Sequence, residues 1–464
     1  MDEVEYLIIG GGPTGLGAAC RLQSLGREWV LLESARTFGG LAASFVDDQG
    51  FTWDYGGHVL FSHYESFDRK MEEVFDDRGW LTHERESWIW IKNRFVPYPF
   101  QNNLHRLDPA DRWECVRGLL DVVNHPRKER PNNFAAWMTA SMGSGISNLF
   151  LAPYNVKVWA FPAETMDFNW IGERVAVPSL ETVLKSICTN EDEVSWGPNR
   201  VFRFPRCGGT GAIWQAIGES LPSARTVLGC RIDHIDPDAR VARSSEGRCW
   251  KYRFLISTMP LTALVRIAGD VVPAERVGEF RHSGTHVIGV GITGEPPAHL
   301  RTKCWMYFPE PQSPYYRVTV FSNYSPNNVA KPGAQWSLMA EVSESAWKPV
   351  NEARLLRDTL DALTADGLVP DPESVCSLIS RRIPFGYPTP FLGRDAVVDP
   401  VLRRFEACGI FSRGRFGAWK YEVGNMDHSF AQGRECVDRL VSGGGPEREP
   451  TLFDSAAVNS RRNP

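Results

Sequence analysis

The chain has 464 residues, 42% of them hydrophobic and 23% charged, with a formal net charge of −5. A globular composition at this length predicts two or three domains. The weakly acidic charge excludes the broad basic surface that recruits nucleic acid or anionic lipid, so we expect no nucleic-acid partner. An anionic ligand would have to be bound by local arginines.

The cysteines and the N-terminus bear on the location of the protein. Ten cysteines are scattered without a C-x-x-C pair, which predicts neither a metal site nor a disulfide framework. Asp2, Glu3 and Glu5 precede the first apolar run, whereas a secretory signal begins with basic charge. No apolar run approaches the ~20 residues that a membrane helix needs. We therefore expect a reduced, cytoplasmic location and no membrane partner.

The first elements in the chain form a βαβ pattern. An apolar, β-rich run at residues 6–9 leads into the sequence GGGPTG at residues 10–15, and apolar residues then recur with helical spacing through residues 18–25. A second apolar run at residues 29–32 ends at Glu33. This order of strand, glycine turn, helix and strand is typical of a Rossmann-like unit.

The later segments predict two further domains. Residues 105–190 carry helical patterns, residues 253–258 add a strand before a helix, and residues 286–345 are strand-like. The sequence therefore predicts an α/β fold with a Rossmann-like cofactor domain, a helical domain and an antiparallel-sheet substrate domain. The predicted boundaries are 1–75, 200–285 and 405–442 for the cofactor domain, 105–195 for the helical domain, 80–104 and 286–404 for the sheet domain, and 443–464 for a disordered tail rich in Gly, Pro, Glu and Arg.

The glycine motif predicts a dinucleotide site. Gly10, Gly12 and Gly15 match G-x-G-x-x-G between a strand and a helix. The first glycine makes the tight turn, the second lets the backbone approach a pyrophosphate, and the third lets helix and strand pack closely. Glu33, at the end of the second strand, is placed to accept from ribose hydroxyls and to repel a 2′-phosphate. The alternative is a glycine turn in another α/β fold.

Additional glycine runs favour FAD over NAD. Gly39-Gly40 follows the acidic residue, as a comparable pair does in flavoproteins of the amine-oxidase type, and Gly56-Gly57-His58 comes next. Near the other end of the chain, residues 424–429 precede a helical pattern. A second helix N-terminus there could face a flavin ring carbonyl. The Rossmann-like domain is therefore predicted to bind FAD.

Three arginines and one aromatic segment indicate the substrate. Arg174, Arg317 and Arg415 lie in Gly-, Tyr- and Trp-rich sequence, and three converging guanidinium groups would suit a diphosphate. For any single arginine the alternative is a solvated surface charge. The segment PYPFQNN at residues 97–103 combines aromatics with amides, which suits a nucleobase, although it could instead be an aromatic packing corner. His58 is equally consistent with a core histidine and with a place against a flavin.

At these residues the chain resembles the eukaryotic-type UDP-galactopyranose mutases, from residue 6 to about residue 440. The most specific runs are PYNVKVW at residues 153–159 and WIGERV at residues 170–175. Other matching runs lie at 56–64, 98–103, 196–199, 303–305, 321–326, 386–390 and 413–429. The resemblance implies interconversion of UDP-galactopyranose and UDP-galactofuranose by covalent catalysis at N5 of reduced FAD, without net redox change. It also makes NAD(P)H a candidate reductant.

The resemblance further implies the residues of the site. The implied catalytic residues are His58, Arg174, Arg317 and Arg415. The implied FAD residues are Gly10, Gly12, Gly15, Glu33, Gly40, Leu41, Gly57, His58, Ile232, Gly424, Asn425, Met426 and Ser429. The implied substrate residues are Tyr98, Gln101, Phe150, Asn155, Trp159, Arg174, Asn199, Trp305, Tyr307, Arg317, Tyr324, Tyr387, Arg415, Tyr421 and Asn425, with Phe150 stacking on the base. The segments around Arg174 and Asn199 are implied to be mobile flaps.

Departures from the family pattern leave alternatives open. Met426 stands where the family has a polar residue beside the flavin, which allows a flavin-independent variant. Phe95 replaces a usual tryptophan and Leu151-Ala152 replaces a more polar pair, which allows another sugar nucleotide such as a GDP-linked hexose. Two other classes are an FAD-dependent oxidase or desaturase on the same scaffold and a nucleotide-sugar-binding protein without catalysis. The oligomeric state stays open.

Overall fold

A computed structural model describes residues 2–126, 129–194, 197 and 200–463 of the chain. The strands in these residues are β1 (Asp2–Ile9), β2 (Trp29–Glu33), β3 (Ser44–Val46), β4 (Thr52–Asp54), β5 (Trp80–Glu84), β6 (Ser87–Ile91), β7 (Arg94–Pro97), β8 (Val201–Pro205), β9 (Thr226–Leu228), β10 (Ile232–Asp236), β11 (Val241–Ser244), β12 (Cys249–Ser257), β13 (His282–Thr293), β14 (Trp305–Tyr307), β15 (Arg317–Val320), β16 (Gln335–Glu344), β17 (Val375–Pro388) and β18 (Ile410–Ser412). The helices are α1 (Pro13–Ser24), α2 (Glu65–Val74), α3 (Pro109–Asn124), α4 (Phe134–Ile146), α5 (Ala152–Trp159), α6 (Leu180–Thr189), α7 (Gly211–Glu219), α8 (Leu261–Ile267), α9 (Glu352–Ala365), α10 (Arg394–Ala407), α11 (Met426–Ser442), α12 (Pro450–Phe453) and α13 (Ser455–Asn459).

The first sheet has parallel strands at its centre. Its order is β10-β11-β12-β1-β2-β9, and β18 also pairs with β12. β1 runs parallel to both β2 and β12, and Leu7 and Ile8 are fully buried on its two faces. Burial on both faces explains why this strand reads as a continuous apolar run rather than an alternating one.

Helix α11 crosses α1 at close range. A side chain at Gly433 would place its Cβ 2.0 Å from the main-chain oxygen of Thr14, so only glycine permits this approach. The crossing brings the N-terminus of α11, from the far end of the sequence, next to the carboxyl ends of β1 and β2. It thereby joins the two cofactor signals of the sequence at one place.

The second sheet is antiparallel apart from one pair. Its order is β17-β13-β16-β15-β14-β6-β7, and β14 runs parallel to β6. In the β15–β16 ladder Arg317 lies directly opposite Glu341. Strand β5, which the sequence places in the same domain, instead pairs with β8 in a separate two-stranded sheet.

The helical part packs against this second sheet. Helices α3 and α4 lie side by side, and a π-helix, Ser147–Leu151, leads directly into α5. Its core contains Phe134, Met138 and Trp159, each about 1% exposed. Among the described residues, no helix combines the length and apolar character that crossing a membrane requires.

The C-terminal segment departs from the prediction of disorder. Its residues form a short 3₁₀ turn and helices α12 and α13 rather than an unstructured tail. Glu449 is fully buried and pairs with Arg413 and Arg439, which belong to the cofactor part of the molecule. The composition of the segment indicated disorder, because composition contains no information about ion-pair partners elsewhere in the chain. Here such partners hold the segment in place.

Candidate active site

One cavity joins the two halves of the predicted site. It has a volume of about 1080 Å³ and extends from the carboxyl ends of β1 and β2 to the space between the second sheet and the helical part. The Rossmann end is lined by the glycine turn and Glu33, and the opposite end by aromatic side chains and arginines. A cavity at the carboxyl ends of parallel strands is where α/β sheets bind their ligands.

The glycine turn leaves a helix N-terminus open to this cavity. Helix α1 begins at Pro13, and Gly12 before it offers no side-chain cap to the free N–H groups. A Cβ at Gly12 would meet its nearest atom 3.6 Å away, and Gly12 lines the cavity, so its backbone is open to a ligand. A Cβ at Gly15 would lie 1.8 Å from the oxygen of Gly10, so Gly15 serves close helix packing. The turn therefore fits a pyrophosphate.

A buried carboxylate lies beside the glycine turn. Glu33 ends β2, is 7% exposed, and accepts hydrogen bonds from the main-chain N–H of Gly11 and from that of Ala35, the latter at 2.7 Å. These contacts hold the carboxylate at the cavity wall, where Ile232 also lies. The arrangement fits the ribose of a dinucleotide.

A second helix N-terminus faces the same cavity. Helix α11 begins at Met426, and the side chain of Asn425 before it makes no capping hydrogen bond. Gly424, Asn425, Met426 and Ser429 all line the cavity. Uncapped N–H groups and the positive end of the helix dipole favour a carbonyl or an anion at this position. Two open helix ends at one cavity fit FAD.

His58 lies between the two halves. It lines the cavity, and its Nδ1 is buried without a hydrogen-bond partner in the described part of the chain. Burial above all, together with the positive charges of Arg317 and Arg415, lowers the pKa of His58 to about 4, although Glu341 acts in the opposite sense. The imidazole is therefore neutral near pH 7, with a free nitrogen next to the ligand space.

Arg317 is already paired with a carboxylate. Its guanidinium donates to Glu341 through Nε at 3.0 Å and through Nη2 at 2.7 and 2.8 Å. Although burial opposes the charge, Glu341 raises the pKa of Arg317 well above its ordinary value. The same carboxylate accepts from the Gly57 N–H at 2.8 Å and from the Tyr316 hydroxyl. Glu341 thus connects Arg317 to the glycine loop before His58.

Arg415 and Arg174 differ from Arg317 because no carboxylate pairs with them in the described residues. Arg415 donates to the main-chain oxygens of Gly386 and Gly424 at 3.1 to 3.3 Å, and burial lowers its pKa. Both nitrogens Nη1 and Nη2 of Arg174 are buried and have no hydrogen-bond partner among the described residues. Its guanidinium lies 5.4 Å from the Tyr421 ring centre, as does that of Arg415. Two cations around one ring, with buried donor nitrogens, would suit an anionic ligand.

The structure brings most of the predicted residues together. The predicted FAD residues that line the cavity are Gly10, Gly12, Glu33, Gly40, Leu41, Gly57, His58, Ile232, Gly424, Asn425, Met426 and Ser429. The predicted substrate residues that line it are Tyr98, Arg174, Trp305, Tyr307, Arg317, Tyr387, Arg415, Tyr421 and Asn425. Asn199, with Trp196 and Pro198 of the same run, lies outside the described residues.

Several predicted substrate residues do not line this cavity. Phe150 stacks on Tyr154, with ring centres 5.3 Å apart and an angle of 15°, so its face is already occupied. The amide of Gln101 donates to the main-chain oxygen of Ala176. Asn155 accepts from the Trp159 indole at 3.2 Å.

Tyr324 and Trp159 support the aromatic wall from behind it. Tyr324 packs on Phe202 and Phe204, with ring centres 5.4 and 5.2 Å away. Trp159 packs edge-on against Tyr421 at 4.8 Å. The family resemblance implied these two rings for the pocket, and an aromatic residue gives no local signal in the sequence of the direction in which its ring faces.

Sequence reasoning also missed Glu341. It is 1% exposed and lies in β16, whose neighbouring residues Ala340 and Val342 are buried. A lone acidic residue inside a buried strand needs a compensating partner, and this signal is readable from the sequence. Asp427, beside the predicted Met426, also lines the cavity and was not singled out.

Comparisons with known proteins agree with this geometry. Residues 8–77 match the family model of the NAD(P)-binding Rossmann-like domain. Zeta-carotene desaturase of Zea mays is 38% identical over 82 residues, so the match spans 18% of this chain and only 14% of the desaturase. Cyclohexylamine oxidase of Brevibacterium oxydans superposes with a TM-score of 0.64 at 14% identity, covering 95% of this chain and 99% of the oxidase. The likeness to the desaturase is confined to a short stretch, and the likeness to the oxidase, at this identity, shows the fold alone.

The solved structure of a reduced UDP-galactopyranose mutase is much more similar. It superposes with a TM-score of 0.95 at 46% identity, and the match covers 99% of this chain and 98% of that one. Similarity of this extent includes the Rossmann-like domain, the second sheet and the helical part together. The chain therefore belongs to the UDP-galactopyranose mutase family and is an isomerase with FAD as its cofactor.

Proposed function

We propose that this isomerase interconverts UDP-galactopyranose and UDP-galactofuranose. The observation that carries the proposal is the pair Arg174 and Arg415, two cations without a carboxylate partner among the described residues, at the far end of a cavity whose other end fits FAD. Arginine forks bind the oxygens of a diphosphate. An oxidase acting on an amine or a carotenoid would have no use for such an anion site.

The diphosphate is proposed to lie against the Tyr421 ring. Arg415 is fixed there by the main-chain oxygens of Gly386 and Gly424, so it is oriented before the ligand arrives. Arg174 approaches the same ring from the helical part. Tyr387, whose ring centre is 5.0 Å from the Arg415 guanidinium, completes the wall. Preorganised cations of this kind hold a leaving diphosphate close enough to return.

The sugar is proposed to lie between the diphosphate and His58. Reduced FAD, when bound, supplies its N5 as the nucleophile towards the anomeric carbon, and the cycle involves no net redox change. His58, neutral and with a free Nδ1, can hold or accept a hydrogen bond at the reacting end. Glu341 keeps Arg317 and the Gly57 loop in place. The walls formed by Trp305 and Tyr307 exclude water from the sugar.

The Arg174 segment is proposed to act as a lid. The turn Gly172–Arg174 precedes Ala176, whose main-chain oxygen accepts from Gln101. Gln101 therefore tethers the segment rather than reading the base. Release of this hydrogen bond would let Arg174 move with the turn and open the anion site.

The nucleobase end favours a second candidate. Of the three residues implied for the base, Tyr98 lines the cavity, whereas Phe150 and Gln101 are 5% and 3% exposed and already contact other residues. A mutase for another sugar nucleotide, such as a GDP-linked hexose, is compatible with the same anion site. For either substrate we propose NAD(P)H as the reductant. We also propose a cytoplasmic location, and the ten free cysteines support that location.

The test is an incubation of the purified protein with UDP-galactofuranose, with and without dithionite, followed by chromatography of the nucleotide sugars. Conversion to UDP-galactopyranose only under reduction is the expected result. Equal conversion without reductant would replace the flavin mechanism by one that bypasses reduced FAD. Absence of conversion in both samples would reject UDP-galactose, and the same assay with GDP-linked hexoses would then test the second candidate.

A further inference from the structure

The C-terminal strap, defined as residues 446–463, contacts three segments that line or border the cavity. It begins with the buried ion pairs of Glu449, which join it to Arg413 on one side and to Arg439 in α11 on the other. Thr451 then accepts or donates a hydrogen bond of 2.7 Å with the hydroxyl of Tyr64. The strap is therefore fixed to the cofactor domain before it reaches the site.

The end of the strap pairs with the loop that carries His58. The Asn463 N–H donates to the His63 oxygen at 2.6 Å, and the Glu65 N–H donates to the Asn463 oxygen at 2.8 Å. Arg462 donates to the main-chain oxygen of Ser62 at 2.6 Å and pairs with Asp68 in α2. The main-chain bonds of Asn463 pair it with residues 63–65 as in a short β-bridge, and the Arg462 side chain adds two further contacts.

The same loop is held from inside by Asp427. The Asp427 carboxylate accepts from the His63 N–H at 2.9 Å and lies 2.8 Å from His63 Nδ1. Upstream, the Gly57 N–H is held by Glu341. His58 lies between these attachments and is itself free at Nδ1. Between His58 and His63, Leu60 exchanges two main-chain hydrogen bonds with Arg203, at 3.1 and 2.9 Å. The position of His58 therefore depends on these three attachments together with the strap.

The strap also borders the anion site. The side-chain amide of Asn459, at the end of α13, donates to the Glu422 oxygen at 3.1 Å, next to Tyr421. Helix α13 lies beside the turn Gly172–Arg174. One segment thus contacts the His58 loop, the residue that follows Tyr421 and the proposed lid.

We propose that the strap is a positioning element of the active site, in which Arg462 and Asn463 set the His58 loop against the cofactor. Loss of these contacts leaves residues 60–65 held by Asp427, by the Leu60–Arg203 main-chain pair and by the bond between the Tyr64 hydroxyl and Thr451. The loop then samples positions in which His58 no longer faces the reacting end. Catalysis slows, whereas the diphosphate site, built on Arg415, is retained.

The test compares three holoenzymes: the chain ending at Ser460, Arg462→Met, and the matched control Arg448→Met. Arg448 is an exposed arginine of the same strap, and no side-chain contact of it with the loop is found. Hydrogen exchange of residues 56–65, the flavin absorption spectrum, and kcat and KM are measured for each. The kinetic measurement rests on the proposed function, whereas hydrogen exchange and the flavin spectrum do not.

We expect the shortened chain to exchange amides of residues 59–65 at least tenfold faster, to show shifted flavin bands, and to lose about fivefold to tenfold in kcat with KM nearly unchanged. Arg462→Met shows the same changes at smaller size, and Arg448→Met shows none. Unchanged exchange and flavin bands in a folded shortened chain would overturn the proposal, and so would a rise in KM alone. If the shortened chain does not fold, Arg462→Met decides by the same criteria.

Discussion

Replacement of Arg174 by methionine tests the anion site most directly. Both Nη atoms of Arg174 are buried and make no hydrogen bond within the part of the chain that the structure describes, and the guanidinium lies 5.4 Å from the Tyr421 ring centre. Methionine keeps a similar length and removes the charge. In the absence of ligand the substitution removes no hydrogen bond found in the structure, and it removes the cost of desolvated donors.

The expected effects on stability and on affinity have opposite signs. Relief of unsatisfied donors raises the free energy of unfolding by about 1 kcal/mol. Loss of two charge-assisted hydrogen bonds to a diphosphate, each about 1.5 kcal/mol, weakens UDP binding by about 3 kcal/mol, or about 100-fold in Kd. Thermal unfolding without ligand and isothermal titration with UDP measure the two quantities.

Arg394→Met is the matched control for stability. Arg394 is also buried, but it forms a two-pronged ion pair with Glu422 at 2.8 and 2.6 Å. Removal of one partner of a buried pair costs about 3–5 kcal/mol, so its unfolding midpoint should fall sharply. An unchanged Kd for UDP in Arg174→Met would refute the anion site. A fall in stability as large as that of the control would refute the unpaired state of Arg174.

Three further outcomes follow from single residues. Gly15→Ala prevents formation of the folded flavoprotein, because the added Cβ would lie 1.8 Å from a main-chain oxygen. The control is Gly278→Ala, whose Cβ meets no atom within 4 Å and leaves circular dichroism and flavin absorbance unchanged. His58→Gln makes the acid limb of stability less steep. The pKa of His58 is about 4 in the folded protein and ordinarily 6.5, so the unfolded chain takes up the proton first, and the parent protein loses more stability between pH 6.5 and pH 4 than the variant does. Glu341→Gln leaves Arg317 buried without its counter-charge and lowers the free energy of unfolding by about 3–5 kcal/mol, measured by denaturant titration. The argument from Gly15 would be contradicted by a soluble, FAD-bound Gly15→Ala variant. The argument from His58 would be contradicted by identical acid limbs of the variant and its parent, and that from Glu341 by an unchanged unfolding midpoint of Glu341→Gln.

Local sequence signals were sufficient for the cofactor domain. The glycine motif requires a turn and a close helix approach at adjacent positions, and both appear in the structure at Gly10, Gly12 and Gly15. The acidic residue at the end of β2 and the glycine pair after it line the same cavity. These features are predictable because strand, turn and helix are neighbours in the chain, so their geometry depends on short-range backbone preferences.

The substrate half depended on contacts between distant segments. Aromatic residues such as Phe150 and Tyr324 pack behind the wall rather than in it, because the direction of a ring is set by its neighbours from other elements. The order of the C-terminal segment depends on the ion pair between Glu449 and Arg413. Neither orientation nor partner is encoded in the composition of the segment that carries the residue.

By itself, the sequence determined the Rossmann-like fold and FAD as the cofactor, and it singled out the three arginines as candidates for anion binding. The tertiary structure alone decided which arginines are free to bind an anion: β15 places Arg317 opposite Glu341, while Arg174 and Arg415 meet at Tyr421 without a carboxylate among the described residues. The physical reason is that the effective charge of a buried arginine depends on which groups the fold brings within a few ångströms of it.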